Sequence, residues 1–387
     1  MLQVAQPLLR DAGPEFNLAR LRIARTNQKI SQADFRAKVE ETVSNVITAY
    51  WTLWEARQEV PIRQDLLERA RVTLEKVKAR RDIDAAAAEI HQAGAAVRQR
   101  EILLDYAVKA VSDAQDALVK LLADPQLNLV GDCRVVPEDL PGRSPLALDE
   151  TDQLLAALQH SPALDKARLA IVLGDINVRI ARNQTLPRLD LTGSAGYQGL
   201  GATEHEGLEK LGTLDYFSYT VGLALEYPLG NRERIAELRK QKLVRMKAVS
   251  QLQSAADQIA QAVKERLREI ARSGREMELQ KALVEDIRLE LQALEDIETL
   301  HGRLTPEFLN LKLGTQSALA DARIAEMQAV RTFNLAISDL ARITGTTLKE
   351  HAVDISLPAA GGEDSWPAAP PERPPPSPTT TQATTAP

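Results

Sequence analysis

Along this chain the spacing of apolar and polar residues shifts from period 2 to helical and back, and one such order occurs twice. Leu2 and Val4 alternate with Gln3 and Ala5, the mark of a short strand, and Pro7 suits its end because proline gives no N–H to a ladder. Asp11-Ala12-Gly13-Pro14 reads as a turn, with Asn17 as the expected cap of the next helix. Helical spacing then holds to about Arg81, a rod of roughly 100 Å. Only Pro61 disturbs it, which predicts a kink or a brief break there. A turn near Asp82-Ile83-Asp84 leads into a return helix from Ala85 to Ala123.

The order recurs from Tyr227-Pro228-Leu229. A proline-free helical tract runs from Asn231 to about Leu300, turns at His301-Gly302-Arg303 and returns from Pro306 to Ile343. Thr305 suits the cap of that return helix, Pro306 its first turn and Gly345 its C-terminal stop. The intervals from Pro7 to Asp84 and from Pro228 to Gly302 are nearly equal, so the chain reads as an internal duplication of strand, long helix and return helix.

Between the copies lies a polar, proline-rich connector, a short helix from Asp149 to Gln159, and a longer one opened by Ser161-Pro162 and ended by Pro187. Leu189, Leu191, Gly193, Ala195 and Tyr197 then alternate with Asp190, Thr192, Ser194, Gly196 and Gln198. After a Gly/Glu-rich loop, Phe217 to Tyr227 alternate in the same way. Alternation alone fits a soluble antiparallel hairpin and a membrane β-barrel equally; the attached rods favour the barrel, with apolar side chains outward and tyrosines at its rims. The expected division is residues 1–125 (first repeat), 126–160 (connector), 161–350 (second repeat, with a β-hairpin at 188–229 and a helical hairpin at 231–345) and a disordered Pro/Thr-rich tail at 357–387. The fold class is mainly α with a small β part: duplicated long α-hairpins attached to antiparallel strands.

Composition narrows the function. Aromatics are only 4% of the chain, as suits long helices packed side by side on Ala and Leu. The net charge of -6 comes from interspersed signs and leaves no basic footprint for nucleic acid. The single Cys133 allows no intrachain disulfide, and five scattered His, His91 among them, suggest no metal set. No apolar run is long enough for a transmembrane helix, and Met1 leads straight into the first strand without a signal peptide. There is no triad spacing, phosphate loop or dinucleotide fingerprint, so no enzyme activity and no cofactor are expected.

A set of segments carries a resemblance: Gln6-Pro7-Leu8-Leu9, Ala49-Tyr50-Trp51-Thr52-Leu53, Ala181-Arg182 followed by Leu186-Pro187-Arg188-Leu189, Val221-Gly222-Leu223 leading to Tyr227-Pro228-Leu229, Gly302 to Asn310, and Phe333-Asn334-Leu335-Ala336-Ile337 running to Gly345. In order and spacing they resemble the TolC-type outer membrane efflux proteins over residues 1–350. The resemblance implies a homotrimer whose protomers each give four strands to a shared barrel in outer membrane lipid. It also implies two helical hairpins per protomer in a periplasmic α-barrel, with an equatorial domain at mid-height. Such a trimer is a passive conduit that docks a periplasmic adaptor and an inner-membrane pump, for tripartite efflux or type I-like secretion. The first repeat lacks the helix and strand that match Ser161–Gln198 in the second, so three strands are expected here instead of four. An incomplete reading of a longer gene explains this; a degenerate paralogue that closes no barrel is the alternative. A periplasmic coiled-coil scaffold without channel activity is the rival function.

In the resembled family the hairpin turns close like an iris, with acidic residues just inside. Asp82 and Asp84 hold the first turn, where a glycine is expected, and Gly302 holds the second. Glu307 and Asn310, three apart on one helix face, fall nearest the acidic ring positions. In a trimer Glu307 recurs three times around the axis and favours cations; alternatively it is a first-turn glutamate that suits the helix dipole. Pro7, Pro187 and Pro228 mark strand–helix junctions. Trp51 and Trp54, three apart on a long helix, read as packing residues ahead of substrate contacts.

Overall fold

A computed structural model describes residues 2–80, 87–124, 134–138, 148–197, 217–301 and 305–353. Two units divide the chain, Met1–Ala352 and Val353–Pro387, and all the described helices and strands belong to the first. The expected tail at 357–387 lies outside the described residues.

The element order is β1 (Leu2–Pro7), α1 (Pro14–Asn17), α2 (Ala19–Ala79), α3 (Ala87–Leu122), α4 (Glu150–His160), α5 (Pro162–Gln184), β2 (Arg188–Tyr197), β3 (Phe217–Glu226), α6 (Arg232–His301), α7 (Pro306–Thr344) and α8 (Thr347–Glu350). At 70 residues, α6 is a rod of about 105 Å. The sequence of strand, long helix and return helix appears twice, as β1–α2–α3 and as β3–α6–α7.

One local expectation changes, and of the kink or break expected at Pro61 the break does not occur. Asn17 does not cap the long helix: Pro14 starts a short helix of its own, Asn17 closes it, and Leu18 stands before α2 without a side-chain cap. Pro61 lies inside α2 without ending it. Its missing N–H costs the helix one bond, to the Arg57 carbonyl, and the packing of the turns on either side holds the rod together.

The other ends match their residues. Asp149 caps α4 by accepting from the Thr151 N–H at 3.0 Å. Thr305 caps α7 by accepting from the Phe308 N–H at 3.2 Å, and Pro306 takes the first turn. Gly345 stops α7 in the left-handed region at φ 70, and a Cβ there would sit 2.5 Å from the His160 carbonyl oxygen. Glycine is needed there on two counts.

Within each hairpin the seam is apolar. Leu53 and Ala56 of α2 pack on Ala114 and Leu118 of α3, and Leu67 and Ala70 pack on Val97. In the second hairpin Val263 and Ile270 of α6 pack on Phe333, Ala336 and Leu340 of α7, with Ala157 of α4 closing the cluster. Two apolar clusters join the hairpins to each other: Trp54 with Met277, Ala329 and Val330, and Val77 with Leu309 and Leu313. Trp54 is buried in the first of these with Trp51 edge-on beside it, so both tryptophans are packing residues. Among the described residues no helix is long and apolar enough to cross a membrane.

Candidate functional site

The strands form one antiparallel sheet, ordered β1-β2-β3. Its register sorts the side chains into unlike faces. Leu189 pairs with Leu225, Leu191 with Leu223, Gly193 with Val221 and Ala195 with Tyr219, all on one face. Leu2 and Val4 of β1 join that face opposite Ala195 and Gly193. The other face carries Asp190 opposite Ala224, Thr192 opposite Gly222, Ser194 opposite Thr220 and Gly196 opposite Ser218. Among the described residues nothing covers the β3 part of the apolar face: Val221 is 72% exposed, and Leu223 and Leu225 are each 69% exposed. An uncovered apolar patch of this kind marks a surface that meets lipid or another protein.

The three predicted junction prolines come together at one end of the sheet. Pro7 pairs with Asp190, the Leu8 N–H donates to the Leu189 carbonyl at 2.7 Å, and the Arg10 N–H donates to the Pro187 carbonyl at 3.2 Å. Asn231, just after Pro228, donates from its side-chain amide to the Thr185 carbonyl at 3.0 Å. Backbone groups that proline and chain reversal would leave open are thus closed by neighbours.

At the far end of the rods, Glu307 and Asn310 occupy the first turns of α7, both exposed. Glu307 has no ion-pair partner among the described residues. Asn310 accepts a hydrogen bond from the Gln92 side chain, which brings α3 of the first hairpin against α7 of the second. Asp82, Asp84 and Gly302 lie outside the described residues.

Just inside this end is a buried polar seam that composition and spacing did not single out. Arg100 of α3 is 4% exposed. It donates to the Leu66 carbonyl at 3.2 Å, to Gln316 Oε1 at 2.8 Å, to the Leu313 carbonyl at 2.9 Å and to Ser317 Oγ at 3.3 Å. Among the described residues no carboxylate pairs with it, and burial pulls its guanidinium down to about 10. Gln316 also donates to Thr73 Oγ1 at 3.3 Å. Nearer the turn, Glu298 of α6 accepts from Lys312 of α7 and, at 3.2 Å, from Lys76 of α2. Burial pushes the Glu298 carboxyl up, but the hydrogen bonds and charges of the two lysines more than offset this and hold it below the usual carboxylate range. Further from the turn the seam continues with Arg323–Asp65 and Arg331–Glu55 ion pairs. One signal for Arg100 was available. The buried or half-buried positions Ala93, Val97, Arg100, Leu104 and Ala107 keep an unbroken 4-3-4-3 spacing, so the arginine stands in an apolar stripe.

Residues 154–346 match the family model described as outer membrane efflux protein. Among solved structures, the chain is similar to the outer-membrane channel OprN, with a TM-score of 0.72 at 17% identity over 89% of this chain and 74% of that one. It is similar to the outer membrane protein VceC of Vibrio cholerae, with a TM-score of 0.70 at 18% identity over 89% and 78% of the two chains. It also resembles the CmeC outer membrane channel of Campylobacter jejuni, with a TM-score of 0.70 at 15% identity over 89% and 70%. No curated protein matches the chain significantly.

Proposed function

We propose that this chain, which through residues 154–346 belongs to the outer membrane efflux protein family, is one subunit of a passive export channel. Three copies share a β-barrel in the outer membrane, and their helical hairpins form the wall of a conduit through the periplasm. A periplasmic adaptor and an inner-membrane pump engage its far end, in a tripartite efflux or type I-like secretion system.

The observation that carries this reading is the joining of an uncovered apolar sheet face to rods of about 105 Å. The two sheet faces differ as a barrel wall requires: Leu, Val, Tyr and Phe toward lipid, and Thr, Ser and Gly toward water. A periplasmic scaffold of coiled coils would leave that apolar face in water, which disfavours the rival. At the far end Glu307 recurs in three copies around the axis and favours cations entering the channel. Drawing three such faces into lipid also requires all sheet edges to be paired within the assembly.

Planar-bilayer recording of the purified full-length product tests the proposal. Discrete conductance steps, reduced in cation preference by Glu307→Gln, support it. A product that stays soluble and monomeric and gives no steps overturns it.

A further inference from the structure

Below the sheet, the side of the helical wall that continues the apolar face can be traced by side-chain position. Tyr227 belongs to the apolar face by alternation and lines one cavity with Ile235 and Leu238 of α6. Glu233 and Glu237 line a different cavity with Asn177 and Gln184 of α5, and by helical position stand away from Ile235 and Leu238 on α6. Arg239 and Lys242 each come four residues after Ile235 and Leu238, and so stand on the Tyr227 side. Arg245, one heptad after Leu238, pairs with Asp175 of α5. Asp175 in turn lines a groove with Arg22 and Arg25 of α2, and Arg182 lies one heptad on from Asp175. These cations therefore share one side of the wall.

Their balance is unusual. Arg22, Arg25, Arg182, Arg239 and Lys242 are exposed and have no carboxylate partner among the described residues. The carboxylates on this side are already engaged, Glu15 with Arg179 at 2.8 Å and Asp175 with Arg245. All five cations lie within about 15 Å of the strand–helix boundary. Exposed Tyr227, Leu229 and Ile235 carry the apolar surface down to that boundary. The headgroup zone is about 5–8 Å thick beyond the hydrocarbon core, and Arg and Lys stems can reach back along the wall into it.

We propose that these five residues form a cationic belt that binds anionic phospholipid headgroups in the leaflet facing the periplasm. The inference rests on the membrane reading proposed for the sheet. It adds a lipid preference that an apolar barrel wall by itself would not have. Carboxylates facing the belt would repel such lipids; Glu233 and Glu237 line the other cavity instead.

The test is lipid-selectivity spectroscopy on the full chain reconstituted in phosphatidylcholine, with spin-labelled phosphatidylglycerol or phosphatidylcholine at equal mole fraction. The belt predicts a several-fold preference for phosphatidylglycerol at low salt, which falls stepwise as cations are removed. The preference collapses in high salt. In the combined variant Arg22→Gln, Arg25→Gln, Arg182→Gln, Arg239→Gln and Lys242→Gln it falls to none. With the four arginines changed to lysine it persists, which separates charge from fold. Equal association of both lipids with the unaltered protein, or a preference unchanged in the neutral variant, overturns the belt. If neither label is immobilised, the protein is not in the bilayer and the membrane reading itself fails.

Discussion

Arg100 and Gln316, 216 residues apart in the chain, meet in a buried site where Arg100 Nη1 donates to Gln316 Oε1 across 2.8 Å. The contact ties the first helical hairpin to the second. It is the innermost member of a polar seam flanked by the Trp54 cluster on one side and the Val77–Leu309 cluster on the other.

Arg100→Ala removes four hydrogen bonds, strands the Gln316 oxygen and opens a cavity. It is expected to destabilise the subunit by about 3 kcal/mol. Arg100→Met keeps most of the volume without the buried charge and costs less. Thermal unfolding monitored by helical circular dichroism checks the order. An Arg100→Ala protein as stable as the parent contradicts it.

Glu298 makes stability at the hairpin end pH-dependent. Its folded-state pKa lies below the ordinary 4.5, so its contribution is fully present above that value and is lost as pH falls through the folded-state pKa. Glu298→Gln leaves Lys312 buried without its counter-charge and costs about 3 kcal/mol at pH 7. The gap between variant and parent should close well below pH 4.5, because the parent's carboxyl then becomes neutral too. Denaturant titrations at pH 7 and in acid measure it; a gap independent of pH counts against the assignment.

Gly345→Ala combines a left-handed backbone with a clash against the His160 carbonyl and is expected to cost about 3 kcal/mol or more, on the order of the strain for such sites plus displacement of α4. Gly13→Ala, at φ 90 and ψ 155 in a region kept almost wholly by glycine, with open space around it, bears the backbone strain alone, on the order of 1–3 kcal/mol. Melting temperatures of the two variants should rank in that order.

Glu307→Gln should leave folding intact, since the side chain is exposed and has no ion-pair partner among the described residues, while cation preference falls. Reversal potentials in asymmetric salt read this. If Glu307 acts only on the helix dipole, the loss appears as a few tenths of a kcal/mol in stability and the reversal potential stays put.

The features legible in the sequence are those set by local forces. Strand limits are set by alternation and by Pro7, Pro187 and Pro228, so β2 and β3 fall where the pattern places them. Rod lengths are set by the absence of breakers, and α6 and α7 end within a residue or two of the turn signals around Gly302 and at Gly345. The capping of α2 differs from expectation because Pro14 can start a turn as readily as Asn17 can cap one. Contacts between hairpins were not legible. Glu298 sits in an acid-rich tract and looks like a solvated carboxylate, and only the approach of α2 and α7 buries it between Lys76 and Lys312. Arg100 betrays itself only by its place in the apolar stripe of α3, where an arginine demands acceptors from a neighbouring helix.

The sheet is where the account is most exposed to test. In a Cys133→Ser background, single cysteines at successive positions from Ser218 to Leu225 can be probed in native membranes with a water-soluble, membrane-impermeant thiol reagent. Labelling should alternate, strong at Ser218, Thr220, Gly222 and Ala224 and weak at Tyr219, Val221, Leu223 and Leu225. Uniform labelling along the strand would show both faces in water and contradict a lipid-facing barrel wall.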